Sequence, residues 1–304
     1  MKTQTNKTKV IIYVVMAIIT TSVLTAGCIS ADQIYTVPAH TNLTLHFVAV
    51  GQADAIVIQQ GDTYAIVDAG KPLTKDPAAT DIMTYLKTIQ PETIDFLLIT
   101  HQDYDHIGYA QDILQEYPTN IFYDNGFVHT SKTYENLMEE VGEQNIPYIV
   151  VRGGDSIENS FENVSISVLA PQKLLSDDIN ANSIILRICY GNQSALLTGD
   201  AENPEELLSS GPILSPLHSD LLKVGHHGSA KSSSGDFLNR VSPDIAVIST
   251  GKNSYGHPNP QTVNRLIEAV GSENLYLTSG GTVIATTDGI HDWYITQVPA
   301  TPAT

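Results

Sequence analysis

The chain has 304 residues, 42% hydrophobic and 16% charged, which makes it too apolar for a disordered segment and too polar for a multi-span membrane protein. Fifteen Lys and Arg against 33 Asp and Glu give a formal net charge of −18, which repels polyanions and argues against stable binding of duplex nucleic acid. Two cysteines exclude a disulfide scaffold and a cysteine-rich zinc site, leaving one well-cored globular domain or at most two.

The N-terminal segment reads as an address. Lys2, Lys7 and Lys9 precede an uncharged run from Val10 to Ala26 that ends in Gly27-Cys28. A positive start, an apolar middle and small residues before a cut site predict a signal peptide over residues 1–27. The ending LTAGC resembles the lipobox of bacterial and archaeal lipoproteins. That resemblance implies a lipidated Cys28 at the mature N-terminus, followed by a short tether through residue 43. The alternative is an uncleaved anchor, because the apolar run is at the short end for a membrane span. Both readings place the domain on the outer face of the cell membrane, since the lysines stay inside. Cleavage leaves 12 basic residues against 33 acidic ones, a charge of −21. Cys189, within the apolar SIILRICYG, is expected in the core.

LTLHFVAV, DAIVIQ and TYAIVD read as three strands separated by glycine-containing turns. TDIMTYLKTI is a helix closed by Pro91, and the continuous apolar DFLLIT is a buried strand running into His101. A helix from Tyr109 to Tyr117, a strand near Ile121 and a helix around Tyr134 to Val141 follow. VSISVLAP, SIILRICYG and SALLTGD are strands, then come a helix near Glu205, the strand DLLKVG, a helix near Phe237 and the strand DIAVIST. PQTVNRLIEAV is a helix with Pro260 in its first turn; NLYLT, GTVIATT and HDWYITQV close the pattern, and residues 299–304 are a tail. Strand clusters at both ends with helices between predict two sheets packed face to face with helices outside, in one domain over residues 44–298.

The chemistry lies where strands end. THQDYDHIG holds His101, Asp103, Asp105 and His106 within six residues, directly after a buried strand. Two carboxylates and two imidazoles that close together need a cation to join them. Asp200 in SALLTGDAE, His226 and His227 in LLKVGHHGS, and His257 in SYGHPNP follow three other apolar strands. Each alone is a weak signal; together they point to one edge of a sandwich.

This set, opened by LTLHFVAVGQADAIVIQ and VDAG, resembles the metallo-β-lactamase fold superfamily. More narrowly it is similar to the metallo-hydrolase domain of ComEC, the bacterial DNA-uptake channel protein, and to its stand-alone relatives. The resemblance implies an α/β fold, a four-layer αββα sandwich with mixed sheets, and a centre of two divalent ions. His101 and Asp103 would serve the first ion; Asp105, His106 and His226 the second; Asp200 both. Asp68 would orient a ligand imidazole. His227 and His257 would face the substrate, bonding a phosphoryl oxygen or protonating a leaving group, alongside Asp105 as catalytic groups. The histidine that usually precedes the bridging aspartate is missing, with Asn180 or Asn182 in its region; Asn182 is taken as a supporting residue. An oxygen-rich first site makes manganese a competitor to zinc and implies weaker filling there. Ala49 and Ala53 replace two residues of the family's opening motif, while Gln52 and Asp54 remain.

Two cations sharing Asp200 would bring the pKa of a water between them toward neutrality, and no serine or cysteine nucleophile is required. The expected reaction is hydrolysis of a phosphodiester. Lys71, Lys223, Lys231, Lys252 and Arg265 lie nearest the motifs, enough to line a small phosphate pocket but not a duplex track. A small or single-stranded phosphodiester is therefore expected as substrate. The alternatives are a lactonase or amidase acting on carbonyl centres, and a non-catalytic surface-binding lipoprotein with a degraded metal site.

Overall fold

A computed structural model describes residues 41–72, 79–174, 178–202 and 217–300. The leader, Cys28 and the helix expected near Glu205 lie outside these residues. Among the described residues no helix is long and apolar enough to cross a membrane.

The strands in chain order are β1 (Leu43–Phe47), β2 (Ala55–Gln60), β3 (Thr63–Ala69), β4 (Ile94–Leu98), β5 (Thr119–Asp124), β6 (Tyr148–Val150) and β7 (Val164–Ala170). They continue with β8 (Ile185–Tyr190), β9 (Gln193–Leu197), β10 (Leu221–Lys223), β11 (Ile245–Ile248), β12 (Leu275–Leu277), β13 (Thr282–Thr287) and β14 (Tyr294–Val298). The helices are α1 (Ile82–Ile89), α2 (Tyr104–Ile107), α3 (Ala110–Glu116), α4 (Lys132–Glu143), α5 (Gly235–Val241) and α6 (Pro260–Val270). One sheet has the order β14-β13-β1-β2-β3-β4-β5-β6, the other β12-β11-β10-β9-β8-β7. Both are mixed. β3, β4, β5 and β6 run parallel, as do β9, β10, β11 and β12, while the remaining pairs are antiparallel.

The layers follow from the strand period of two. Ile56 and Ile58 of β2 point between the sheets and meet a core that includes Phe96, Leu98, Ile166, Leu186, Leu197 and Val247. Val57, from the same strand, faces the other way and packs with Ile66, Leu97 and the helix residues Leu86, Ile113 and Leu137. On the second sheet Leu196, Leu222 and Ala246 turn outward onto Phe237, Leu238 and Leu266 of α5 and α6. Three apolar layers between four layers of elements make the αββα sandwich, each buried aliphatic side chain contributing about 1.5–3 kcal/mol relative to exposure.

Helix ends obey local chemistry. Asp81 caps α1 by accepting from the Thr84 amide, and Gln90 ends it in the left-handed region just before Pro91. Asn259 caps α6, with Pro260 at its start. Two elements escape the sequence pattern. α2 lies inside the THQDYDHIG segment, and β6 is a three-residue edge strand with every side chain exposed. Cys189 is a correction: on β8 it is half-buried rather than in the core, and its Sγ accepts from Arg187 Nη1 at 2.8 Å.

A polar group buried under α1 sets an acid limit on stability. His46 of β1 accepts from the Tyr85 hydroxyl at Nδ1 (2.8 Å) and donates from Nε2 to Gln59 Oε1 (2.9 Å), so the neutral ring is satisfied at both nitrogens. Burial lowers its pKa from 6.5 to about 4, against a weaker upward pull from Gln59. The unfolded chain therefore takes up this proton at higher pH than the folded one. The contribution is complete above pH 6.5 and lost as pH falls toward 4, an effect of about 3 kcal/mol. Urea denaturation at pH 7 and pH 4.5 is expected to show a smaller acid loss in His46→Leu than in the wild type. Equal acid sensitivity in the two proteins contradicts this assignment.

Candidate metal centre

Parallel strands explain why distant motifs meet. β3 carries Asp68 near its end, and β4 leads through Ile99 and Thr100 to His101. β9 leads to Asp200, β10 to His226 and His227, and β11 to the loop bearing His257. With like-directed strands in each sheet, these C-terminal ends share one edge. Gly199 has φ 51°, and a Cβ there would lie 2.9 Å from Thr100 Oγ1, so glycine lets the β9 end approach the β4 end. At Gly228 (φ 78°) a Cβ would stand 2.7 Å from Pro258 Cβ; this close approach holds the GHHGS and GHP segments together.

Four imidazoles are oriented in the same way. His106 Nδ1 donates to Asp68 Oδ2 at 2.8 Å. That carboxylate also accepts from the Thr100 amide and from Thr100 Oγ1, both at 2.8 Å. Because the Thr100 hydroxyl proton goes to Asp68, its oxygen accepts from His101 Nδ1 at 3.1 Å, making Asp68 the hub for two rings. His227 Nδ1 donates to the Ser249 carbonyl at 2.9 Å, and His226 Nδ1 to Glu202 Oε1 at 3.0 Å. With each Nδ1 proton committed, each Nε2 is left as a lone-pair donor.

Those Nε2 atoms converge on carboxylates. Asp200 Oδ2 lies 3.4 Å from His106 Nε2, 3.5 Å from His227 Nε2 and 3.7 Å from His226 Nε2. His227 Nε2 is also 3.8 Å from Asp105 Oδ2, and His101 Nε2 is 3.6 Å from Asp103 Oδ2. None is aligned as a hydrogen bond. Among the described residues the Nε2 atoms of His101, His106 and His227 and Oδ1 of Asp200 are buried without a hydrogen-bond partner. Buried lone pairs of this kind are costly unless a proton donor or a cation meets them. His101, His106 and Asp200 form one group with mutually close ligand atoms; Asp54, Asp200 and His227 form another. Imidazole nitrogens and carboxylates fit divalent cations of the zinc and manganese kind.

The charges support the same reading. Burial works against the Asp200 carboxylate, but His227, His106 and Lys223 outweigh it and hold the carboxyl well below its usual range. Asp105 behaves alike: burial opposes ionisation, and His227, His106 and Lys71 drive the pKa down. Burial disfavours a cationic His106 or His227, yet Asp200 with Asp68 at the first, and Asp200 with Asp105 and Asp54 at the second, pushes both upward. The carboxylates thus draw positive charge onto the imidazoles beside them, and a divalent cation at the same place would satisfy them in the proton's stead. Three residues of the cluster, Asp68, His226 and His227, hold left-handed backbone at φ 60°, 45° and 51°.

Lys223 and Asp54 belong to this cluster, although neither is among the residues anticipated for the metal centre. Lys223 of β10 is fully buried, ion-paired with Asp54, donating to the Gly199 carbonyl at 2.9 Å and 3.9 Å from Asp200 Oδ1. A lysine inside an apolar strand is the signal that marks it, since lysine is almost never fully buried unless paired. Lys223 is therefore no part of a phosphate pocket. Lys71 pairs with Asp105 (3.4 Å), Lys231 with Glu202 (3.2 Å), and Arg265 donates to the Ser232 and Ser233 carbonyls.

The anticipated residues come together unevenly. His101 and His106 are fully buried; Asp103 at the start of α2 and Asp105 in its first turn are partly exposed. His227 is buried facing Asp105 and Asp200, whereas His226 is more exposed and stacks edge-on against His257, with ring centroids 5.1 Å apart. Asn182 is buried, with its side-chain amide donating to the Asp178 carbonyl at 2.8 Å; the orphaned buried oxygen of that turn is Asn180 Oδ1.

The profile of the metallo-beta-lactamase superfamily matches residues 48–252, and the chain belongs to that superfamily. Among curated proteins it is similar to ComE operon protein 3 of Bacillus subtilis, 29% identical over 259 residues, covering 77% of this chain and 32% of the relative. It is also 30% identical over 219 residues to competence protein ComA of Neisseria gonorrhoeae, covering 71% of this chain and 28% of that one. The chain thus spans about a third of these ComEC-like relatives' length. The solved metallo-beta-lactamase fold protein YhfI from Bacillus subtilis superposes with TM-score 0.52 at 12% identity, over 81% of this chain and all of that one, a likeness of fold.

Proposed function

We propose that the chain is an extracytoplasmic, metal-dependent phosphodiesterase. The observation that carries this reading is the common orientation of His101, His106 and His227, each fixed through Nδ1 with its Nε2 buried, unpaired among the described residues and turned toward Asp200 or Asp103. We assign His101, Asp103 and Asp200 to one cation and Asp105, His106, His227 and Asp200 to the other. This exchanges the roles anticipated for the adjacent pair: His227 becomes the ligand, and His226 joins His257 at the rim. Divalent cations held there supply Lewis acidity, lowering the pKa of water and polarising a phosphoryl oxygen.

The chain's own groups do the rest. Asp68 holds His106 and His101 in the tautomer that leaves Nε2 free. Burial, then His226 and His227, lower the pKa of His257, so the ring is neutral near pH 7 and serves as a hydrogen-bonding group rather than an acid. Similarity to a competence protein and to a recombination protein supports a nucleic-acid substrate for this chain. The lipobox-like segment supports a lipid tether on the outer face of the membrane.

The test is turnover of bis-p-nitrophenyl phosphate against a panel of lactones and amides, with zinc or manganese added. Preference for the phosphodiester is expected. Preference for the carbonyl substrates, or no turnover of either, overturns the reading.

A further inference from the structure

The rim carries an unbroken file of aromatic rings. His101 and His106 have centroids 4.0 Å apart, and His106 and His227 5.8 Å. His227 and His226 are 6.1 Å apart, His226 and His257 5.1 Å, and His257 and Tyr255 6.2 Å. The file starts at fully buried rings among the ligand candidates and ends at Tyr255, which is 73% exposed. An isolated exposed tyrosine needs no explanation. This one differs because the loop displaying it is held rigidly.

Asn253 is the clamp. Its Oδ1 accepts from the amides of Tyr255 (3.0 Å) and His257 (3.2 Å). Its Nδ2 donates to the carbonyls of Gly251 (2.9 Å) and His257 (2.6 Å) and to Gln52 Oε1 (3.0 Å). Gln52 Oε1 accepts from Thr250 Oγ1 as well (3.1 Å), tying the loop to the GQAD segment at the head of β2. The backbone is fixed while the ring stands in solvent. Tyr104, 51% exposed between Asp103 and Asp105, puts another ring on a ligand-bearing segment.

Charge decides what such a ring is for. Lys71 and Lys231, near the centre, are committed to Asp105 and Glu202, and the chain carries −18 overall. Beyond the phosphate at the metal centre itself, these side chains leave little attraction for the rest of a strand's backbone, and affinity there has to come from elsewhere. Stacking on an aromatic face supplies it independently of charge and tolerates every base.

We infer that Tyr255 is the stacking platform for a nucleobase flanking the scissile phosphate, so that the substrate is a single-stranded oligonucleotide or a smaller nucleotide ester. This rests on the phosphodiesterase reading but is tested by binding, apart from turnover. Fluorescence anisotropy would follow a fluorescein-labelled thymidine octamer, an abasic octamer of equal charge, and competition by thymidine 5′-monophosphate. Wild type is expected to bind the octamer more tightly than the abasic strand. Tyr255→Ala should weaken octamer binding about tenfold while leaving the abasic strand unaffected, and Tyr255→Phe should retain it. Competition by the monophosphate near the octamer's own affinity identifies a mononucleotide site; weaker competition identifies an oligonucleotide site. Unchanged octamer binding in Tyr255→Ala, equal loss for both strands, or no octamer binding by wild type overturns the inference. If binding behaves as expected but no phosphodiester is cleaved, the platform stands and the hydrolase reading fails.

Discussion

Replacing Asp200 by asparagine is expected to abolish retention of zinc and manganese and to lower phosphodiester turnover by about a thousandfold or more. Asp200 is where the two halves of the centre join. Its Oδ2 faces His106, His226 and His227, its Oδ1 lies 3.9 Å from Lys223, and its amide donates to Ser183 Oγ at 3.1 Å. Asparagine keeps the shape and removes the charge shared by the surrounding groups. His106→Ala and Asp105→Asn should lose turnover equally. The adjacent histidines separate the two assignments made for them. His227→Ala should lose metal, because its Nε2 faces both Asp105 and Asp200; His226→Ala should retain metal and lose turnover only in part. Metal retention in Asp200→Asn, or loss of metal from His226→Ala alone, contradicts this arrangement.

Lys223→Met is expected to destabilise the fold by about 3–5 kcal/mol, the usual consequence of leaving a buried charge without its partner. Asp54 is buried beside Lys223, and its oxygens lie 3.7 Å from His227 Nδ1 and 4.0 Å from His106 Nδ1. Asp200 and Asp68 add further negative charge around the ammonium, which raises the lysine's pKa despite its burial. The pair is thus a fixed internal cation balancing a crowded set of carboxylates. Replacing both partners, as Lys223→Met with Asp54→Leu, should recover most of the loss, because two apolar groups of similar size leave no charge unpaired. Urea denaturation measures both. A stable single variant, or a double variant no better than the single, removes this role.

The fold was legible because its rules are local. The alternation of Ile56, Val57 and Ile58 assigns two faces to β2, and Pro260 stands in the first turn of α6 where the sequence places it. The candidate ligand segments are legible because titratable residues follow apolar strands directly. What stayed hidden depends on three-dimensional direction. Adjacent histidines 226 and 227 look equivalent in sequence, and only their left-handed backbone turns one inward and the other toward the rim. Lys223 and Asp54 are 169 positions apart, so the partner that makes a buried lysine tolerable has no local signature. Asn182, anticipated as a support, is buried with its side-chain amide on the Asp178 carbonyl and its own carbonyl accepting from Asn125, contacts that no local pattern announces. Cys189 followed hydropathy too closely: it sits in an apolar run, yet beside Arg187.

Metal content per chain, measured by elemental analysis after loading with zinc or manganese and desalting, is the most direct test that these strand ends clasp cations. About two equivalents in the wild type, absent from Asp200→Asn, is the expected result. A folded wild-type protein that holds neither metal contradicts it.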